Sequence, residues 1–255
     1  MDRDLALTRT EAEAGRLLEL ATAEGADLSA PVPSCPDWDF GRLVLHLGDV
    51  YNWAGTIVGG ALLEPPSDLP RRPGGINPPD WTADRLARLL AALRDSPDDA
   101  VMWNFGPERP SSAAFWRRRQ LHETAIHRAD AELTAGVPVS PLDPDIAADT
   151  VSELFTIFGF ADAADDEAGT PAPPAAGPGA PPASVHLHAT DVAGAEWTLD
   201  TSARTIARRH AKGDVAIRGT AWALARWCWG RPVDGEIEAF GDLAAAEAWR
   251  STVVP

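Results

Sequence analysis

Glu123 and His127 stand four residues apart in the stretch RRRQLHETAIHRAD. Positions i and i+4 of a helix share a face, so the two side chains would project the same way. Asp130, three residues beyond His127, falls on that face too. His46 lies in a different segment, FGRLVLHLGDVYNW, between Leu43 and Val50 and beside an apolar stripe of helical period. Two facing helices would thus offer two imidazoles and one carboxylate to a single point. That is the ligand set of an open divalent-metal site with room for water or substrate. Asp130 would orient His127 or assist proton transfer, or serve as a plain helix-surface carboxylate. The same spacing also suits a hydrogen-bonded core histidine and a surface Glu–His ion pair, which are the commoner uses of such residues. His122 adjoins Glu123 but points about 100° away on an ideal helix, as a surface residue or a competing ligand.

The elements that must hold these residues are legible from periodicity. Apolar steps of three and four predict helices over about 5–24, from Asp39 to the Gly59–Gly60 pair, from near Thr82, over 112–134 and over 145–161. Asp39 is the expected N-cap of the second helix. Long helices joined by loops make a bundle, and the proline-rich loop 64–80 is long enough to rim a pocket. Residues 163–183 lack apolar periodicity and are rich in Ala, Pro and Gly, the composition of a linker. Beyond them the period changes. SVHLHAT and WTLD, joined by the turn DVAGAE, read as a hairpin, DVAIRG as a strand, TAWALARWCWGR as a helix, EIEAFG as a strand and DLAAAEAWRS as a closing helix. The expected fold class is α+β in two domains. A helical bundle covers 1–162, a linker 163–183, and a small α+β domain 184–255.

Composition narrows the partners. The 255 residues carry a formal net charge of -16, which repels phosphate backbones and anionic membranes, so neither nucleic acid nor membrane is an expected partner. No apolar run reaches the ~18 residues of a spanning helix. The N-terminus MDRDLALTRT lacks the apolar block of a signal peptide, and the expected address is the cytoplasm. The two cysteines, Cys35 and Cys228, form no CxxC pair, which excludes a thiolate-rich structural zinc site. Cys35 has no basic neighbour in sequence to activate it, so a packing or turn role is expected rather than a nucleophile. Of the ten tryptophans, Trp38, Trp53, Trp81, Trp103 and Trp116 fall in the helical part, and Trp222, Trp227 and Trp229 in one C-terminal helix. Most are expected in cores or between domains, with one or two lining a pocket.

Longer motifs carry a family resemblance. PSCPDWDFGRLVLHLGDVYNWAG resembles the opening motif of the mycothiol-dependent maleylpyruvate isomerase family, a Cys-Pro-Gly-Trp-like stretch before a helix containing His-Leu. RRRQLHETAIHRADAELTAG resembles its second motif, an arginine-rich lead into His-Glu-x-x-x-His-x-x-Asp. VHLHATDVAGAEWTLD, VAIRGTAWALARWCWGR and AFGDLAAAEAW resemble its C-terminal domain. The likeness runs through nearly the whole chain in order. It departs at Asp37, where the family pattern has glycine; Asp37 would alter the turn or cap the helix.

This resemblance implies an N-terminal DinB-like antiparallel four-helix bundle, here with an extra helix, and a zinc site formed by His46, Glu123 and His127. It implies mycothiol as thiol cosubstrate. A thiolate would add to an activated cis double bond, the resulting single bond would rotate, and elimination would give the trans product. Net transfer of the thiol to an electrophile would use the same site. An acidic substrate needs a counter-charge, and the family's functional C-terminal arginine is placed at Arg231, with Arg218 the alternative. Either could instead be a structural ion pair. The expected function is therefore that of a metal-dependent isomerase or thiol S-transferase acting on a small acidic electrophile, as a monomer or weak homodimer. The alternatives are a non-catalytic metal- or ligand-binding protein and a thiol-independent tailoring enzyme of a biosynthetic pathway.

Overall fold

Asp2 starts helix α1 (Arg3–Thr22) by accepting a 2.9 Å hydrogen bond from the backbone N–H of Leu5. In the computed structural model, which describes residues 1–106, 111–163 and 182–254, two compact units follow one another, 1–140 and 141–255. Most of the expected linker, 164–181, lies outside the described residues.

In the first unit a short hairpin, β1 (Pro31–Val32) and β2 (Cys35–Asp39), leads into α2 (Phe40–Gly59). Asp39 caps α2 as expected, accepting from the N–H of Arg42 at 2.7 Å, and Gly60 closes it with N–H bonds to Thr56 and Val58 carbonyls. Leu43, Val44, Leu47, Tyr51, Ala54 and Ile57 are wholly buried along one side. Helix α3 (Pro78–Asp95) starts four residues before the expected position. Pro78 and Pro79 take the first-turn positions, where a missing N–H costs nothing. Gly48 lets α2 and α3 approach closely: a Cβ there would lie 2.5 Å from Trp81 Cδ1. Thr82 Oγ1 donates to the Val44 carbonyl across the same contact at 2.6 Å. A two-residue pair, β3 (Val101–Met102) with β4 (Ser111–Ser112), precedes α4 (Ala113–Thr134). Helices α1 to α4 pack on one another around a shared core.

Helix α4 is polar in sequence yet buried on most of its circumference. Its charges are tolerated because they are paired, since an unpaired buried ion would cost several kcal/mol. Arg117 donates to the Leu93 carbonyl through Nη2 and Nε at 2.9 and 3.2 Å and pairs with Asp98, completing the C-terminal end of α3. Arg128 meets Glu13 and Glu132, each at 2.6 Å.

The second unit contains α5 (Pro144–Ile157), which packs on α6 (Ala221–Cys228). The sequence places α5 with the bundle over 1–162, whereas it falls in the second unit. Periodicity revealed the helix but not its partner, because an apolar stripe does not say what covers it. Here Trp197 Nε1 donates to Ser152 Oγ at 2.9 Å, tying α5 to the sheet. That six-stranded sheet has the order β10-β9-β6-β7-β8-β5. The strands are β5 (Ala161–Asp162), β6 (Ser184–Ala189), β7 (Glu196–Asp200), β8 (Thr205–Ala207), β9 (Val215–Gly219) and β10 (Ile237–Phe240). The expected β6–β7 hairpin is antiparallel; β6 and β9 pair in parallel, as do β5 and β8. Helix α7 (Leu243–Val253) follows the last strand. The whole is α+β. Among the described residues no helix is long and apolar enough to cross a membrane, and neither cysteine takes part in a disulfide.

Candidate metal centre

Helix α2 presents His46 and helix α4 presents Glu123 and His127. Their ligand atoms all lie within 4.8 Å of one another. Glu123 Oε1 stands 3.3 Å from His46 Nε2 and 3.2 Å from His127 Nε2. Donors 2.0–2.1 Å from a tetrahedral ion are separated by roughly 3.3–3.4 Å, which both edges from Glu123 match, and the residues present are the donor set of a divalent metal. His46 is one-third exposed and His127 almost buried. The site is thus closed on the α4 side and open beside His46.

A polar shell holds each donor. His127 Nδ1–H donates to Asp130 Oδ2 at 2.9 Å, leaving Nε2 toward the common point. Asp130 is fully buried and also accepts from Ser34 Oγ at 2.5 Å. Ser34 reaches it because the β1–β2 turn lies over α4. Arg119, one turn before Glu123, pairs with its other oxygen. Burial alone would raise the Glu123 pKa, but Arg119, His127 and the His46 hydrogen bond outweigh it and hold the carboxyl well below its usual range. Burial likewise opposes protonation of His127, yet the carboxylates of Glu123 and Asp130 push its pKa up to about 9. The centre is therefore strongly cation-seeking: a metal would replace the proton on His127 Nε2.

Trp38, on β2, covers the histidines. Its ring centroid lies 4.7 Å from that of His46 and 6.2 Å from that of His127, and the Arg42 guanidinium carbon sits 5.3 Å from it. An indole there limits water and fixes the ring planes of both imidazoles.

Residues 9–132 match the family described as Mycothiol maleylpyruvate isomerase N-terminal domain, and residues 145–248 match the family's C-terminal domain. The chain belongs to the mycothiol maleylpyruvate isomerase family. A crystal structure of the mycothiol-dependent maleylpyruvate isomerase matches with a TM-score of 0.56 at 15% identity, covering 94% of this chain and 93% of that one. A histidine-to-alanine mutant of that isomerase gives 0.57 at 16% over the same shares. At such identity these structures show a shared fold; the family model itself is named for an isomerase, an enzyme. No curated protein matches the chain in sequence.

The structure brings His46, Glu123, His127 and Asp130 together. His122 is fully buried, not at the surface, and stands outside the three-residue cluster. Arg231 lies just after α6, where its Nη1 donates to the Trp229 carbonyl at 2.6 Å. Arg218, on β9, is exposed and 3.9 Å from Glu238. Sequence reasoning missed Ser34, Trp38 and Arg119 as members of the site. Arg119 was open to discovery, because its i,i+4 spacing to Glu123 is that of a helical ion pair. Ser34 was not, since 96 residues separate it from Asp130.

Proposed function

We propose that this chain is a metal-dependent enzyme that uses mycothiol, or a similar low-molecular-weight thiol, to isomerise or thiolate a small acidic electrophile. The observation that carries this reading is the convergence of the His46, Glu123 and His127 donor atoms within 4.8 Å of one another in a chain of this family. We read α1–α4 as the DinB-like bundle of that family and zinc as the resident ion.

A bound divalent ion would supply positive charge that favours the thiolate form of a thiol at the open position. The protein's own residues prepare that position. Asp130 keeps the proton on His127 Nδ1, so that Nε2 stays a donor, and Ser34 in turn fixes Asp130. Arg119 holds Glu123 ionised and stops it rotating away. Trp38 limits water over the imidazoles, and the exposed side of His46 is the approach for the thiol and its electrophile. Arg231 is assigned the substrate carboxylate, with Arg218 as the alternative; a planar guanidinium suits that role.

Metal analysis of the purified protein tests the first part. His46→Ala and His127→Ala should each lose the ion bound here, and full retention in both would sink the reading. Calorimetry with mycothiol tests the second: heat should appear with metal and vanish after chelation. Turnover of maleylpyruvate then separates isomerase from transferase. Arg231→Ala should raise KM for the acidic substrate far more than it alters mycothiol binding.

A further inference from the structure

A second constellation lies in the sheet of the other unit. On β6, Val185 and Leu187 turn to one face, where they are buried with Trp197 and Leu199. Strand alternation sends His186 and His188 to the other. In the β6–β7 register His188 stands opposite Glu196, and His186 opposite Thr198. Directly paired residues share a face, so both histidines project beside Glu196.

A third histidine arrives from the segment between β8 and β9. Thr198 Oγ1 donates to the Arg209 carbonyl at 3.0 Å, which pins that segment over the same face and sets His210 against Glu196. Gly213 permits its return to β9 close to His186. A Cβ at residue 213 would lie 2.9 Å from the His186 nitrogen and 2.8 Å from the Val215 carbonyl oxygen.

The donor atoms converge. Glu196 Oε2 is 2.9 Å from His186 Nε2 and 2.6 Å from His210 Nδ1, and His188 Nδ1 is 3.8 Å from Oε1. One donor from each of His186, Glu196 and His210 falls within 4.8 Å of the others. Five of the six histidines of the chain thus sit in two carboxylate-centred clusters. Exposure rises across this one: the side chain of His186 is 6% exposed, that of His188 37% and that of His210 74%. A buried wall and an open mouth are what an ion needs to enter and be held.

We propose that His186, Glu196 and His210 form a second divalent-metal site, taking a first-row ion such as zinc, with His188 beside it on the same strand. Two imidazoles and one carboxylate are borderline donors that suit zinc, cobalt or nickel and disfavour calcium or magnesium. The present N···O spacings are shorter than the roughly 3.3–3.4 Å edge of a tetrahedral zinc site. Loading therefore asks Glu196 to part from His186 and His210 by less than about 1 Å each, which the exposed His210 can supply. The bound ion would clamp residues 208–212 to the sheet, a structural role independent of the chemistry at His46.

The test uses the full chain, stripped with chelator and titrated with zinc and with cobalt. Wild type should bind one equivalent more than His210→Ala, an exposed substitution that leaves the fold intact. Glu196→Gln should lose the same equivalent. The double variant His46→Ala/His127→Ala should keep it, with cobalt absorption typical of nitrogen and oxygen donors. Zinc should also slow tryptic cleavage after Lys212 in wild type and not in His210→Ala. Equal stoichiometry in wild type, His210→Ala and Glu196→Gln, with cleavage unaffected by zinc, would overturn the proposal.

Discussion

At the scale of the residue, the most informative contact is between His127 and Asp130. A ligating histidine needs its second nitrogen held, and a fully buried carboxylate with its own donor, Ser34, does that here. Asp130→Asn preserves shape but removes the charge that keeps the proton on Nδ1. Zinc affinity should fall about 10–100-fold, read by competition against a chromophoric chelator, and Ser34→Ala should fall less. An Asp130→Asn protein that binds zinc like wild type would reduce Asp130 to packing. Arg231 raises a different question, since its bond to the Trp229 carbonyl is what a structural arginine would also make. The KM effect of Arg231→Ala, against unchanged thermal stability, separates the two roles.

At the scale of the element, the site depends on how closely helices approach. Gly48 sits two residues from His46 within α2 and is what lets Trp81 of α3 lie against the backbone. Trp81 Nε1 also donates to Asp49 at 2.9 Å, so the indole has little freedom to withdraw. Gly48→Ala should cost about 1–3 kcal/mol from overpacking, more than the helix-propensity gain of alanine, about 1 kcal/mol. Urea unfolding should show a lower midpoint, and a midpoint at or above wild type would mean that α3 yields without strain. The helix α4 makes the opposite point. It buries paired charges such as Arg128 and Glu132 beside apolar residues such as Trp116 and Leu121, so apolar periodicity alone describes it poorly.

At the scale of the molecule, acid should unfold the first unit through Glu132. Burial raises its pKa, but the Ser140 hydroxyl and N–H and the Arg128 guanidinium outweigh that and lower it below 4.5. A depressed folded-state pKa contributes stability above the unfolded value. That stability is lost as pH falls below about 4.5. The unfolding free energy of wild type should drop in that window, and Glu132→Gln should show a shallower drop from a lower starting stability. Identical slopes would assign acid sensitivity to other carboxylates.

Much of this was written in the chain. Local signals located the Asp39 cap, the α2 stop, the β6–β7 hairpin and the α4 face that carries Glu123, His127 and Asp130, because each depends on near neighbours and backbone period. Ordered motifs named the family. The sequence did not say that α5 packs with α6, that Trp38 lies on His46, or that Ser34 holds Asp130. Nor did it pair Glu196 with three histidines, since SVHLHAT read only as half of a hairpin. Those contacts join residues distant in sequence, and only the packing of helices and the register of strands brings them within bonding distance. The donor types of the His46, Glu123 and His127 centre were thus determined by sequence, while their spacing, their shell and its opening beside His46 were decided by tertiary structure.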